Sequence, residues 1–339
     1  MGLRALNNPN SPFEDVFSNT GYIAPPPLPS VPAGISATGG TKESGVSTPD
    51  SKTWTYHYFT STGPQPFNVT GVTGPGEVEF IVIAGGGGGG LSQNGDTRRG
   101  GGGGGAGGLI TNFDSHPYYP RCPSPTQSLV ATVQNYTFTI GAGGGSASQG
   151  TDSTAFGLTA NSGGHGGNNE GGNATSGGSG GGAGATKNVA SLPGASNPAV
   201  DGTRQGYAGG IANDPPGSMG GGGGGAGAAG YASDGTADDG GGGVGVAFVG
   251  NYAVPPSYGT TGPTSGRWFC GGGGAGSYPN PGGSTPGGAG GGGSGKSDNT
   301  QGGDATANTG GGGGGAGGGP TNTNGGSGGS GIIIVRYLS

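Results

Sequence analysis

"GGGGGGAGG", residues 100–108, is the stretch whose reading decides the fold. The run returns as GGGGGGAG at 220–227, GGGGAG at 271–276 and GGGGGGAGGG at 310–319, with a shorter GGGAG at 180–184. A flexible linker has no reason to place alanine at the same point near the end of each run. The recurrence therefore predicts an ordered element. Glycine loses more backbone freedom on ordering than any other residue, and a glycine tract has no side chain to bury in return. What it has is an unobstructed backbone. In the extended three-residue helix, rising about 3.1 Å per residue, N–H and C=O groups point outward in every direction. One such strand satisfies none of them internally. A bundle satisfies them laterally, because strands without Cβ atoms approach closely, and buried backbone groups must be paired. The tracts at 85–90, 100–108, 163–167, 177–184, 220–227, 240–243, 271–276, 287–293, 310–319 and 325–331 are thus expected to pack together. The alanines belong at the ends or periphery of that bundle.

Strand patterns lead into these tracts. In "WTYHYFT" (54–60) Trp54, Tyr56 and Tyr58 share one face of an alternating strand. "EVEFIVIAG" (77–85) and "SLVATVQNYTFTIGAGGG" (128–145) each run directly into glycine, and the chain closes on "GIIIVRYLS" (331–339). The fold class that follows is mainly β and irregular: β-strands joined to a bundle of polyglycine II helices, with an extended N-terminal arm and almost no α-helix. The arm is placed at residues 1–50 and the glycine-rich domain at 51–339.

The arm has its own logic. In "SPFEDVFSN" Ser11 can cap a helix, Pro12 fits its first position and Glu14 completes a capping box. Phe13, Val16 and Phe17 then fall on one face. A two-turn helix is unstable alone, so it forms either against a partner or on its own domain. "APPPLPSVPAG" (24–34) is a stiff polyproline II spacer. Helix and spacer together have the character of an anchor and a stalk, with Leu3 and Leu6 as further apolar anchors.

Composition narrows the function. The 339 residues include 97 Gly and 26 Pro, without the Gly-X-Y period of collagen. The net charge of −6 is spread thinly with no basic run, which argues against nucleic acid or an anionic membrane as partner. No segment approaches the roughly 18–20 apolar residues of a membrane span. The first residues lack the apolar core and cleavage site of a secretory signal, so synthesis in the cytoplasm is expected. Cys122 and Cys270 stand far apart, either as two isolated thiols or as a single bridge.

"VEFIVIAGGGGGG", "YTFTIGAGGG", the repeated "GGGGGGAGG" and the terminal "SGIIIVRY" resemble the glycine-rich domain of bacteriophage tail-fibre and adhesin proteins, over about residues 53–337. The leader "LRALNNPNSPFEDVFSNTG" is similar to one on structural proteins of marine and cyanobacterial phages. Phage fibre-tip adhesins of this kind pack polyglycine II helices into a sandwich with receptor-binding loops at its ends. The leader and the Pro-rich arm depart from them. The resemblance implies a non-enzymatic virion protein, a tail-fibre or fibre-tip adhesin. Its partners would be other virion proteins through Leu3, Leu6, Phe13, Val16 and Phe17, and a host surface glycan or outer-membrane protein. A homo-oligomer stays open. The alternative is a capsid or tail decoration or connector protein with a purely structural role.

The receptor-binding candidates are aromatics between tracts: Tyr118 and Tyr119 in "HPYYPRCP", Tyr252, Tyr258 and Trp268 in the stretch 248–269, and Tyr278 in "SYPNP". Such rings give large contact area with a polar handle. They serve equally well folded back over the tract edges, above all Trp268, which abuts a tract. Other motifs fare worse. "GGGGSGKS" (290–297) matches the phosphate-binding loop pattern but has no strand before it and no helix after it. His57, His116 and His165 lack metal-ligand spacing. Asp238–Asp239 lacks the spacing of an EF-hand and reads as a solvated turn. No catalytic residue, metal or cofactor is expected.

Overall fold

The computed structural model describes residues 34–93, 99–113, 129–169, 172–186, 192–196, 204–212, 218–233, 239–278 and 284–339. The helix expected in the arm lies outside them. Among the described residues there is no α-helix, only one 3₁₀ turn at Gly250–Tyr252, as the sequence led one to expect.

Two antiparallel sheets form a sandwich. The first orders β1 (Gly34–Thr38), β4 (Gly63–Thr73), β8 (Gln134–Ile140), β9 (Ser153–Ala155) and β10 (Leu158–Ala160). The second orders β2 (Thr41–Ser47), β3 (Thr53–Phe59), β13 (Ile332–Leu338), β5 (Glu77–Ile83) and β6 (Leu109–Thr111), with β7 (Leu129–Val130) also paired to β5. A hairpin of β11 (Val246–Phe248) and β12 (Arg267–Phe269) completes the strands. β1 and β2, within the stretch assigned to the arm, thus pair into the two sheets.

The centre of the second sheet, β3, β13 and β5, is buried on both faces, which explains the near-continuous apolar reading of its central strands. Val78, Phe80 and Val82 of β5 and Ile333, Val335 and Tyr337 of β13 join Phe67, Phe138 and Ile140 between the sheets. Their neighbours Ile81, Ile83, Ile332 and Ile334 join Trp54, Tyr56, Tyr58, Phe248 and Phe269 on the opposite side. Trp54, Tyr56 and Tyr58 share one face, as expected from alternation.

From one end of this sandwich the chain runs out into the glycine rods. The N–H groups of residues 85–90 donate in turn to the carbonyls of Thr151, Gly329, Gly105, Ser148, Gly326 and Gly102, at 2.8–3.1 Å. The direction therefore repeats every third residue. The carbonyls of 85–90 accept in turn from Gly163, Gly144, Gly313, Gly166, Ala147 and Ala316. This rod touches six neighbours: 148–151, 326–329, 102–105, 163–166, 144–147 and 313–316. Rods 100–106, 220–225 and 312–316 are surrounded in the same way. This is the polyglycine II bundle.

The alanines lie at the ends of the rods, as expected, but not at the periphery. Ala106, Ala183, Ala226, Ala275 and Ala316 are all wholly buried. Ala106 and Ala226 belong to the apolar core beside the second sheet; the other three lie at the far end. The bundle also recruits segments that are not glycine runs, among them 148–151, 207–210, 228–231 and 303–306. On the rim only inward positions demand glycine, and Tyr207, Gln149 and Tyr231 keep their side chains at least partly exposed.

A Cβ on an interior glycine has nowhere to go. At Gly223 it would penetrate the carbonyl of Gly104, and at Gly313 that of Gly326, whereas at Gly145 it meets nothing within 4 Å. Rods forced apart lose paired backbone groups at about 1–3 kcal/mol each. Gly223→Ala and Gly313→Ala should each abolish soluble folded protein, and Gly145→Ala should melt like the parent. Thermal melts with soluble yield check this. In the parent, amide exchange across 220–227 and 310–317 should be far slower than in an unfolded chain.

Candidate functional site

The rods give the molecule two unlike ends. At the end far from the sheets, the stems of the connecting segments form one hydrogen-bonded network. Asn169, 1% exposed, accepts from the N–H of Gln93 at 2.7 Å and donates to the carbonyls of Gln93 (3.1 Å) and Arg99 (3.3 Å). One side chain thus clamps both stems of segment 94–98. Asn168 accepts from the N–H of Leu91 at 2.8 Å. Ser92 bridges to Thr323, and Asn299 accepts from the N–H of Thr321 at 3.1 Å.

The network continues across this end. Gly100 N–H donates to Ser218, Ala185 N–H to Gly100, and Ser277 N–H to Lys296. Ser233 N–H donates to Ile211, and its hydroxyl donates to the Met219 carbonyl at 3.1 Å. Segments 94–98, 187–191, 213–217, 234–238 and 279–283 therefore all depart from the same end of the bundle. Tyr278 belongs here too, half-buried against Gly318.

Tyr252, Tyr258 and Trp268 sit at the opposite end, over the second sheet. Tyr252 stacks on Phe113 with centroids 5.1 Å apart, and Tyr258 stacks on Tyr58 at 4.3 Å. Trp268 is 5% exposed, is covered by Gly262, and its indole N–H donates to the Thr264 carbonyl at 3.2 Å. The structure therefore brings Tyr252, Tyr258 and Trp268 together as a cover for the core and sets Tyr278 apart from them. Tyr118 and Tyr119 lie outside the described residues, as do Leu3, Leu6, Phe13, Val16, Phe17, Cys122, His116 and Asp238. Cys270 is buried in the core beside the second sheet.

One buried charge escaped sequence reasoning. Arg336 is 1% exposed, with its guanidinium 4.1 Å from the Trp54 ring and 4.5 Å from Phe113. It pairs with Glu79, donating through Nε at 2.6 Å, and donates through Nη1 to Tyr56 (3.1 Å) and the Asn251 carbonyl (2.6 Å). A lone arginine inside "IIIVRYL" opposite a glutamate in "EVEF" was the available signal. The clamp ties β13, β3, β5 and the 250–252 turn together, as a buried charge must when it is paired.

The remaining motifs resolve structurally. Gly295 and Lys296 of "GGGGSGKS" donate their N–H groups to Thr285 and Gly315 as part of a rod, so no phosphate cradle forms. His165 lies in a rod as well, its carbonyl accepting from the Thr175 N–H. Among the described residues no group of three His, Cys, Asp or Glu could hold a metal ion. Sheets, rods and the strand-to-tract joints run through the same interval as a known sequence family. The family model of the glycine-rich domain matches residues 60–338, and the chain belongs to that family. No curated protein matches the chain.

His57 is wholly buried between the sheets, with Nδ1 2.7 Å from the Gly39 carbonyl and Nε2 3.0 Å from the Tyr337 hydroxyl. Burial holds its pKa below the ordinary 6.5, against the Gly39 bond that favours the proton and with help from the Lys42 charge. A folded pKa below the unfolded one contributes stability above the unfolded value and loses it as the pH falls. Melting temperature should drop from about pH 7 to about pH 5, and His57→Gln should flatten that drop. Equal acid sensitivity in both proteins would refute the assignment.

Proposed function

We propose that this chain is a non-enzymatic virion protein, a tail-fibre or fibre-tip adhesin of a bacteriophage. It displays connecting segments from the far end of its polyglycine bundle to a host surface glycan or outer-membrane protein. The observation that carries the reading is the gathering of five segment stems at one end of a rigid scaffold, while residue 34 enters the fold at the other. Stems locked by Asn169 and Ser233 present what they carry at low ordering cost, which favours binding. Residues 1–33 would hold the protein to its particle through other virion proteins. Membership of the glycine-rich domain family is consistent with this reading and does not by itself imply it.

The alternative, a structural decoration or connector protein, is favoured by one observation: Tyr252, Tyr258 and Trp268 turn inward rather than outward. The two readings part on the far end. Gln93 and Thr321 are exposed there, and Thr38 and Thr137 are exposed on the outer face of the first sheet. Gln93→Arg combined with Thr321→Arg should weaken binding of the purified protein to host cells by about tenfold or more, equivalent to about 1.4 kcal/mol. Thr38→Arg with Thr137→Arg should leave it unchanged. Host binding that neither pair alters, or none by the parent, would leave the structural role. Deleting residues 1–30 should yield a folded, soluble domain that no longer enters particles, as checked by melting and by occupancy in purified virions.

A further inference from the structure

An asparagine followed by glycine carries a reaction of its own. The next backbone nitrogen gives up its proton to water or hydroxide and attacks the side-chain amide carbon. A C–N bond closes a succinimide ring, and the amide nitrogen leaves as ammonia. Water then opens the ring at either carbonyl, leaving aspartate or, with the main chain rerouted through the side chain, isoaspartate. The step asks a fold for a side-chain amide that is not engaged and a following N–H that has no bond to break. It also asks for a following residue with no Cβ to obstruct the attack, which is glycine.

Among the described residues these conditions meet at Asn324–Gly325, the one described asparagine that glycine follows. The side chains of Asn169, Asn173, Asn299 and Asn308 are all engaged in hydrogen bonds. Asn324 is exposed, and its side chain bonds to no described group. Its carbonyl accepts from the Gly302 N–H at 3.0 Å, which fixes the plane of the peptide it shares with Gly325. On the other side of that plane, the Gly325 N–H finds no acceptor among the described residues. The lattice resumes at once, with Gly326 N–H donating to Gly314 at 2.8 Å. Gly325 itself is buried against Gly89, whose carbonyl would lie 2.1 Å from a Cβ. The packing that demands glycine here thus also leaves its nitrogen unhindered and unpaired. Asn324 stands where the chain re-enters the bundle from the far end: Thr323 pairs with Ser92, and rod 325–331 runs on into β13. Isoaspartate would lengthen the main chain by one carbon between those points and put a carboxylate where a neutral amide was.

We infer that Asn324–Gly325 is a self-modifying site, at which the folded protein converts its own asparagine to isoaspartate and aspartate. Nothing in this depends on the virion reading above, and the test uses the purified full chain alone. The protein is held in mildly alkaline buffer, sampled over time and mapped by mass spectrometry of its peptides, with isoaspartyl methyltransferase labelling to mark the isomer. Acid should accumulate at residue 324, with isoaspartate among the products, about tenfold or more faster than at Asn173, Asn299 or Asn308. Conversion at Asn324 no faster than at those three overturns the inference. The same measurement in urea separates the dipeptide from its setting. The folded rate at Asn324 should lie within about tenfold of the unfolded rate, because no bond of the side chain or of the Gly325 N–H has to be broken first. A larger protection by the fold, or an amide that persists throughout, overturns the inference as well.

Discussion

Every interior rod depends on the pairing of backbone groups that no side chain can serve. In a three-residue helix successive N–H and C=O groups point along six directions around the rod. Satisfying them takes six neighbours close enough to bond, and that distance excludes a Cβ from every direction at once. Rod 85–90 meets the condition with six different segments. The demand for glycine is therefore positional. Interior rods are unbroken glycine, rim rods need it only where they face inward, and alanine is admitted at the ends. Ala106 and Ala226 can carry a methyl because it enters the apolar core beside the second sheet.

This lattice does not stand by itself. Each rod residue contributes about one hydrogen bond, with a net return of about 1 kcal/mol. Fixing its backbone costs about 1–2 kcal/mol, and glycine lies toward the expensive side. The difference must come from apolar burial, and the two cores supply it. The joints make the transfer local. β5 passes from Ile83 into rod 85–90, rod 100–108 passes into β6 at Leu109, β8 passes from Ile140 into glycine, and the last rod passes into β13 at Ile332. The sheets thus set the spacing and direction of several rods at the joints. The Arg336 clamp adds a fixed point between strands far apart in sequence.

Much of this was legible in the residues, because a glycine run has few physical uses. The repeated alanine and the strand-to-tract joints pointed to an ordered bundle, and alternation placed Trp54, Tyr56 and Tyr58 on one face. Segments such as 207–210 and 228–231 were not legible as rods. A rim rod needs only part of the glycine signature, and "YAGG" or "AAGY" reads like any loop. The candidate site was less legible still. Aromatic residues stand out in a glycine-rich chain, yet a fold whose rods bury no side chains must draw its cores from those same residues, and Tyr252, Tyr258 and Trp268 answer that need. The residues that organise the far end, Asn169, Asn299 and Ser233, are small polar groups of kinds scattered throughout the chain. Only the three-dimensional neighbourhood distinguishes them.

The two ends of the molecule consequently face different constraints on sequence. One residue inserted in a rod turns every later backbone group by about a third of a turn. Each then points at the wrong neighbour, and the damage spreads to all six adjoining rods. One residue inserted in a segment between two rods changes only the closure entropy of that segment. That term grows so slowly that even a doubling of length costs about 0.6 kcal/mol. The stems at the far end are held by main-chain bonds and by Asn169 and Ser233. A scaffold that tolerates almost no change along its rods thereby confines tolerated changes of length to the connections between them, and at the far end the scaffold itself, not the connections, fixes where they begin and end.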